Sequence, residues 1–352
     1  MSVQLQLNID DRSQVGEARR AAAELGRKLS LDATSAGNVA LAVTEVATNI
    51  VKHADRGSLL LRPLEQRGPG GDVIGGIEIL ALDRGPGIAN VAASLRDGHS
   101  TAGSMGMGLG ALGRISDAMQ LYSQLGKGTA VWLQFWANVP GRTAGDESGQ
   151  RSLPGTGSPD LGAISVPKPG ESVCGDAWYL ANVRGRTTVL VADGLGHGAD
   201  AARAARAAVE LLATHTETEP GELLELGHAA LAPTRGAAVA VARFEPAAGR
   251  GTFAGVGNIA ARVEGAHSRR QLVSHNGTLG HTMRRIQEFA FDFPVGGLLI
   301  LHSDGLTAHW ALADYPGLMA KHPALIAGVL YRDHDRGRDD VTVVVIKNGA
   351  GH

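Results

Sequence analysis

The sequence is short of several things that would have placed it quickly. A single cysteine, Cys174, stands among 352 residues, which excludes an intrachain disulfide and a metal cluster built on thiolates. Aromatic residues make up 4% of the chain, and 33 Lys and Arg face 35 Asp and Glu for a formal net charge of -2. A nearly neutral chain lacks the basic excess of a general nucleic-acid binder, so no nucleic-acid partner is expected. No apolar run approaches the ~20 residues of a membrane-spanning helix, so no membrane partner is expected either. Residues 1–12 alternate apolar and polar side chains without a cationic segment ahead of an apolar block. The expectation is a soluble, cytoplasmic protein.

Core-forming material is present. Hydrophobic residues are 43% of the chain, too many for a disordered protein, and the length suggests two domains at ~100–200 residues each. Glycine is in excess, with 49 residues or about 14% against a usual ~7%. The glycines gather in short loops beside Asp, Asn and His. Residues 138–160 hold eleven Gly, Pro or Ser in 23 positions, a composition that buries no face and reads as a flexible linker. It divides the chain into a domain over 1–137 and another over 161–348.

In the first domain, residues 13–30 and 35–54 read as helices, the second with Val39, Val43, Val46 and Ile50 on one stripe. Residues 77–82 read as a strand leaving into a tight loop, 109–119 as a helix and 129–136 as a strand, which suggests helices on one side of a mixed sheet. In the second, 188–192, 237–242, 298–301 and 341–346 read as strands, and 199–214 and 221–231 as helices. With no βαβ alternation, the fold class expected is α+β with antiparallel layers.

Glu45 and Asn49 lie four apart on one helix face, a spacing suited to a hydrated Mg²⁺ and a polarised hydroxyl, though a solvated helix face has the same spacing. Asp83-Arg84-Gly85-Pro86-Gly87 sets a carboxylate at a strand end where glycine lets a ligand approach the backbone. Gly106-Met107-Gly108-Leu109-Gly110 opens a helix whose amides suit a phosphate, and no P-loop is present. In this order, TEVATNIVKHA, DRGPGI, GMGLGAL and YSQLGKGTAVW resemble the GHKL ATPase family, and within it the anti-sigma and switch kinases of RsbW and RsbT type. The resemblance implies an α/β sandwich binding Mg²⁺ and ATP. It implies Asn49 as a Mg²⁺-ATP ligand, Asp83 as the adenine-reading carboxylate, Gly85, Gly87, Gly106, Gly108 and Gly110 as loop glycines, and Glu45 as the general base. His53 is expected to be structural.

Four more carboxylates border strands: Asp193 and Asp304 just after apolar runs, Asp176 and Asp339 just before strands. In an antiparallel sheet a strand's exit adjoins its neighbour's entry, so the four converge at one edge. Converging carboxylates favour hard cations, Mg²⁺ or Mn²⁺, able to activate a water for attack on phosphate. Gly175, Gly194 and Gly305, each beside one of these Asp residues, are expected to leave room for metal, water and substrate.

The motifs CGDAWYL, VLVADGLGHG, GVGNIAA, NGTLGH, LLILHSDGL and RDDVTVVVI resemble the SpoIIE and RsbX branch of metal-dependent Ser/Thr phosphatases. That resemblance implies an αββα sandwich with two Mn²⁺ or Mg²⁺ ions. Asp176, Asp193, Asp304 and Asp339 would be the carboxylate ligands, with the Gly194 carbonyl beside them. Of the adjacent pair Asp339 and Asp340 the motif's metal ligand aligns with the first, and Gly175 stands where larger relatives carry a second acid. His197 is read as a loop histidine satisfied by backbone or as a contact to phosphate, and Cys174 as packed.

Together the two resemblances imply a bifunctional partner-switching regulator. One half would phosphorylate Ser or Thr on a STAS-domain antagonist and the other remove that phosphate, with a sigma factor or stress-signalling complex downstream. The alternative is a phosphatase whose N-terminal domain senses ATP or docks a partner. A pure sequestering protein would leave the four strand-edge carboxylates unused.

Overall fold

A computed structural model describes residues 4–54, 56–67, 71–95, 108–137, 160–266, 268–283 and 286–349. The chain divides into two compact units, Met1–Gly155 and Thr156–His352. Gly106 and nearly all of the 138–160 segment lie outside the described residues.

The first unit runs β1 (Leu5–Ile9), α1 (Arg12–Lys28), α2 (Ala33–His53), β2 (Gly57–Arg67), β3 (Val73–Asp83), a single turn α3 (Val91–Ser94), α4 (Gly108–Ile115), β4 (Ala118–Gln124) and β5 (Gly128–Trp136). Aspartates start the two long helices. Asp11 caps α1 with Gln14 reaching back, and Asp32 Oδ1 accepts from Thr34 and Ser35 N–H at 3.0 Å each. The α2 stripe of Val39, Val43, Val46 and Ile50 is buried against Leu59, Leu61, Ile77, Ile79, Val131 and Leu133, alternate residues of three strands.

The sheet order is β1-β2-β3-β5-β4, and every ladder is antiparallel, which corrects the expected mixed sheet. Strands β3 and β4 do run the same way, but the β4–β5 hairpin inserts β5 between them. The expected helix over 109–119 also ends early, at Ile115. Asp117 N–H donates to Gln134 O at 2.9 Å, and its carboxylate accepts from Trp136 N–H at 2.6 Å. Those bonds commit residue 117 to the edge of β5 and put Met119 in a strand.

The second unit runs β6 (Asp160–Val166), β7 (Asp176–Val183), β8 (Arg186–Gly194), α5 (Gly198–Thr214), α6 (Pro220–Leu231), β9 (Ala237–Glu245), β10 (Arg250–Val256), β11 (Ala260–Glu264), β12 (Arg269–Leu272), β13 (Phe289–Asp292), β14 (Leu298–His302), α7 (Pro323–His334) and β15 (Val341–Lys347). Two five-stranded antiparallel sheets form, ordered β13-β10-β9-β8-β7 and β12-β11-β14-β15-β6. Residues alternate between cores along each strand. Val189 and Val191 of β8 join Val263, Leu301 and Val344 between the sheets, while Leu190 and Ala192 face Ala205, Val209, Leu223 and Leu231 of α5 and α6. Helix α7 packs on β6 and β15 of the other sheet. This is the αββα sandwich. Helix α7 escaped the sequence reading because ten consecutive residues, Pro323 to Arg332, are buried, and a helix buried all round shows no amphipathic period.

Arg62 and Glu78 form a buried ion pair in the first unit. Glu78 accepts from Arg62 Nε at 2.8 Å and from Trp132 Nε1 at 2.9 Å, and both charged residues are buried. Removing the carboxylate by Glu78→Ala takes the paired charge away from a buried guanidinium, and a loss of about 3–5 kcal/mol in unfolding free energy is expected. Glu24→Ala, which breaks the exposed Lys28–Glu24 pair, should leave the unfolding midpoint within error of wild type. Denaturant unfolding of the full chain reads both.

Candidate functional site

In the first unit, α2 presents Glu45 and Asn49 one turn apart, both half-buried. Glu45 Oε1 accepts from Gly108 N–H at 3.3 Å, so its carboxylate rests at the N-terminus of α4, where the helix dipole favours negative charge. Asp83 ends β3, and its Oδ1 accepts from Gly85 N–H at 2.8 Å and Thr129 N–H at 3.1 Å. A carboxylate with one oxygen held by two backbone donors is fixed in orientation.

The glycines around it are required by close approach. A Cβ at Gly87, which has φ +77, would stand 2.3 Å from Gln124 O, and one at Gly128 2.0 Å from Asp83 O. Gly110 lies within α4, and Gly108, with φ +74, opens it. His53 is exposed in the last turn of α2. Thr129 and Ser123 were missed by sequence reasoning. Their hydroxyls lie 3.0 Å apart, and Ser123 Oγ also accepts from Ile88 N–H at 2.8 Å, closing the loop that carries Gly85 and Gly87. The signal for Thr129 was the Gly-Lys-Gly-Thr run that leads into β5.

In the second unit the aspartates meet at one end of the sandwich. Asp176 and Asp193 are direct partners in the β7–β8 ladder. Asp304 follows β14 and Asp339 precedes β15, two strands that are paired. Ser303, fully buried, joins the two sheets there: its hydroxyl donates to Asp176 Oδ2 at 2.6 Å and accepts from Thr342 N–H at 2.9 Å. Asn258 Nδ2 donates to Asp304 Oδ2 at 2.7 Å. Both partners were missed, although each sits inside a motif that the sequence displays.

Burial drives the carboxyls of Asp176 and Asp193 well above the ordinary carboxylate range. For Asp193 the charges of Asp176, Asp304, Asp339 and Asp340 push further the same way, and for Asp176 the Ser303 hydrogen bond partly offsets the rise. Among the described residues no three His, Cys, Asp or Glu side chains already stand at the spacing that encloses one ion. The donor set is nonetheless that of a hard divalent cation: oxygen ligands only, destabilised by mutual repulsion that a cation would relieve.

Asp340 adds a fifth carboxylate. Its Oδ1 accepts from Lys168 N–H at 2.9 Å, while Oδ2 is shut from solvent without a hydrogen-bond partner.

Two expectations need correction here. The glycines beside the aspartates do not leave space for ligands. A Cβ at Gly175 would fall 2.5 Å from Asp340 Oδ2, one at Gly194 2.0 Å from Ala201 O, and one at Gly305 2.0 Å from Asp340 O. The room is taken by protein, and these glycines let chain segments close around the aspartates. His197, N-cap of α5, is held by the Glu171 carboxylate at 2.6 Å and not by backbone. Cys174 is packed between Ser165 Oγ and Val166 O at 3.5 and 3.4 Å, with burial pushing its thiol up.

Comparison with known proteins agrees with this division. The histidine kinase-like ATPase domain model matches residues 9–135, and the stage II sporulation protein E (SpoIIE) model matches residues 184–348. The serine/threonine-protein kinase RsbT of Bacillus subtilis (strain 168) is 30% identical over 119 residues, 34% of this chain and 86% of RsbT. A solved chain described as "The bacterial stressosome: a modular system that has been adapted to control secondary messenger signaling" is 29% identical, covering 53% of this chain and 98% of that one at a TM-score of 0.50. RsbX in complex with magnesium shares the fold at 19% identity and TM-score 0.50, over 56% of this chain and 98% of its own.

A pH dependence follows from the carboxyl shifts. Asp176 and Asp193 bind protons more tightly in the native state than in the unfolded chain. The stability they contribute is therefore complete below about pH 4 and lost as pH rises through their raised native values. In chelator, the thermal midpoint of the second unit should fall from acid through neutral pH. Asp193→Asn should flatten that slope, and added Mn²⁺ should restore stability at neutral pH; an unchanged slope in the variant would remove Asp193 from the effect.

Proposed function

Because the chain belongs to the histidine kinase-like ATPase family through its N-terminal domain and carries a SpoIIE-type phosphatase domain behind it, we propose that it is a bifunctional partner-switching regulator. The chain is an enzyme with the partner-switching architecture. The finer reading is that residues 1–137 phosphorylate a Ser or Thr of a STAS-domain antagonist and residues 161–348 hydrolyse that phosphate, across the 138–160 linker. The stressosome likeness supports a stress-signalling complex, or a sigma factor it controls, as the downstream partner. No helix among the described residues is long and apolar enough to cross a membrane, and the cytoplasm is the compartment proposed.

The observation that carries the hydrolase reading is the meeting of Asp176, Asp193, Asp304 and Asp339 at one end of the sandwich, bound across the sheets by Ser303. These carboxylates and the Gly194 carbonyl would hold two divalent ions, Mn²⁺ or Mg²⁺, which when bound supply Lewis-acid activation for phosphoester hydrolysis. Ser303 keeps Asp176 in place, and Asn258 orients Asp304 by donating to Oδ2. The phosphoprotein's own surface would supply part of the grip.

In the first unit Asp83 would accept from the adenine amino group, and Asn49 would hold the Mg²⁺ of ATP, the phosphoryl donor. Gly85, Gly87, Gly106, Gly108 and Gly110 would line the nucleotide. Glu45, aimed by Gly108 N–H, would take the proton of the attacking hydroxyl.

Two assays test the reading. Mn²⁺-dependent phosphate release from a phosphoserine peptide and from a phosphorylated STAS protein should fall about a hundredfold or more in Asp193→Asn; equal rates in variant and wild type would reject the metal assignment. Glu45→Ala should lower phosphorylation of the STAS partner by about 10²–10⁴-fold while keeping ATP affinity, and Asp83→Asn should weaken ATP binding itself. A wild type that binds ATP and transfers nothing to the partner would make the N-terminal domain a sensor.

A further inference from the structure

The second unit has a cavity of about 400 Å³ at the end of the sandwich away from the aspartates. Strand β8 begins with Arg186 in its wall and reaches Asp193 seven residues later, so roughly 23 Å of strand separates the two ends. The volume is that of a small-molecule site, and Ala290 of β13 and Thr252 of β10 line it between the charged side chains.

Its charged lining is four guanidinium groups against three carboxylates, Glu219, Glu245 and Asp292. Arg243 of β9, Arg250 of β10 and Arg270 of β12 line it together with Arg186. Some of this charge is committed. Arg186 Nε meets Glu245 at 2.6 Å, and Arg243 Nη1 lies 3.5 Å from Glu219 and donates to Glu217 O. Arg250 and Arg270 form no ion pair among the described residues, even though Asp292 stands opposite Arg250 in the β10–β13 register. Arg243 is the informative residue. It is 6% exposed, and its Nε–H has no acceptor. A buried guanidinium donor left unmatched costs free energy that a ligand oxygen would recover.

We propose that this cavity binds a small organic anion, a phosphate- or carboxylate-bearing molecule with an apolar body, as a second ligand site of the phosphatase domain. The oxyanion would sit between Arg250 and Arg270 and accept from Arg243 Nε, a fork-shaped donor set that suits planar or tetrahedral oxyanions. The apolar part would lie over Ala290 and the methyl group of Thr252. The site is separate from the aspartate end and rests on none of its residues.

The test is titration calorimetry on the full chain with Mn²⁺ and a saturating non-hydrolysable ATP analogue, using phenylphosphonate and phenylacetate as probes. Phenylphosphonate cannot be hydrolysed, and the two probes separate a phosphate-type ligand from a carboxylate. Arg250 and Arg270 are exposed, so Arg250→Ala/Arg270→Ala should fold normally. The double variant should weaken binding of the preferred probe by about tenfold or more, while Asp193→Asn, whose phosphatase activity is lost, should bind as wild type does. Equal affinity in the double variant, loss of binding in Asp193→Asn, or no heat from either probe up to about 10 mM would overturn the proposal. Unchanged peptide hydrolysis with loss of probe binding in the double variant would leave the phosphatase reading standing by itself.

Discussion

Like charges held close together are the constraint around which the second unit is built. Asp193 has four other aspartates within electrostatic reach, and each of them makes its ionisation harder. What holds them there is antiparallel pairing: β7 to β8 within one sheet, β14 to β15 in the other, and the Ser303 hydroxyl joining the two. The dry core of valines, leucines and phenylalanines between the sheets supplies the stability that offsets the repulsion. The end of the sandwich is therefore strained electrostatically while its middle is not, a division commonly found where a protein must bind cations.

The first unit solves a related problem with backbone. Asp83 and Glu45 are each held by main-chain N–H groups, from Gly85 and Thr129 in one case and Gly108 in the other. Backbone donors fix the orientation of a carboxylate at the end of a strand or beside the start of a helix. They also demand that loops pass within a few ångströms of one another, and that demand is what Gly87 and Gly128 meet.

Much of this was legible in the sequence, and the parts that were not have physical reasons. The stripe of α2 and the aspartates at strand ends could be read because burial and strand polarity impose short-range periods. Sheet order could not, since β5 lies between β3 and β4 through a hairpin whose neighbours are remote in sequence. Helix α7 was silent because it is buried on every side. Ser303 and Asn258 were visible as letters in their motifs, but their roles depend on contacts across 127 and 46 residues. The glycines misled most: composition showed that side chains were missing, and only the structure showed that backbone and the Asp340 carboxylate fill the space.

The contact between Gly175 and Asp340 has a consequence for how such a site changes over time. The Asp340 carboxylate occupies the volume that any side chain at 175 would need, so the two positions are not free to vary independently. An acid arriving at 175 would collide with, and repel, the one already at 340, whereas shortening 340 first would open a small void beside buried charge. The two positions are therefore coupled: a change at either one alone carries a cost that a matched change at the other removes.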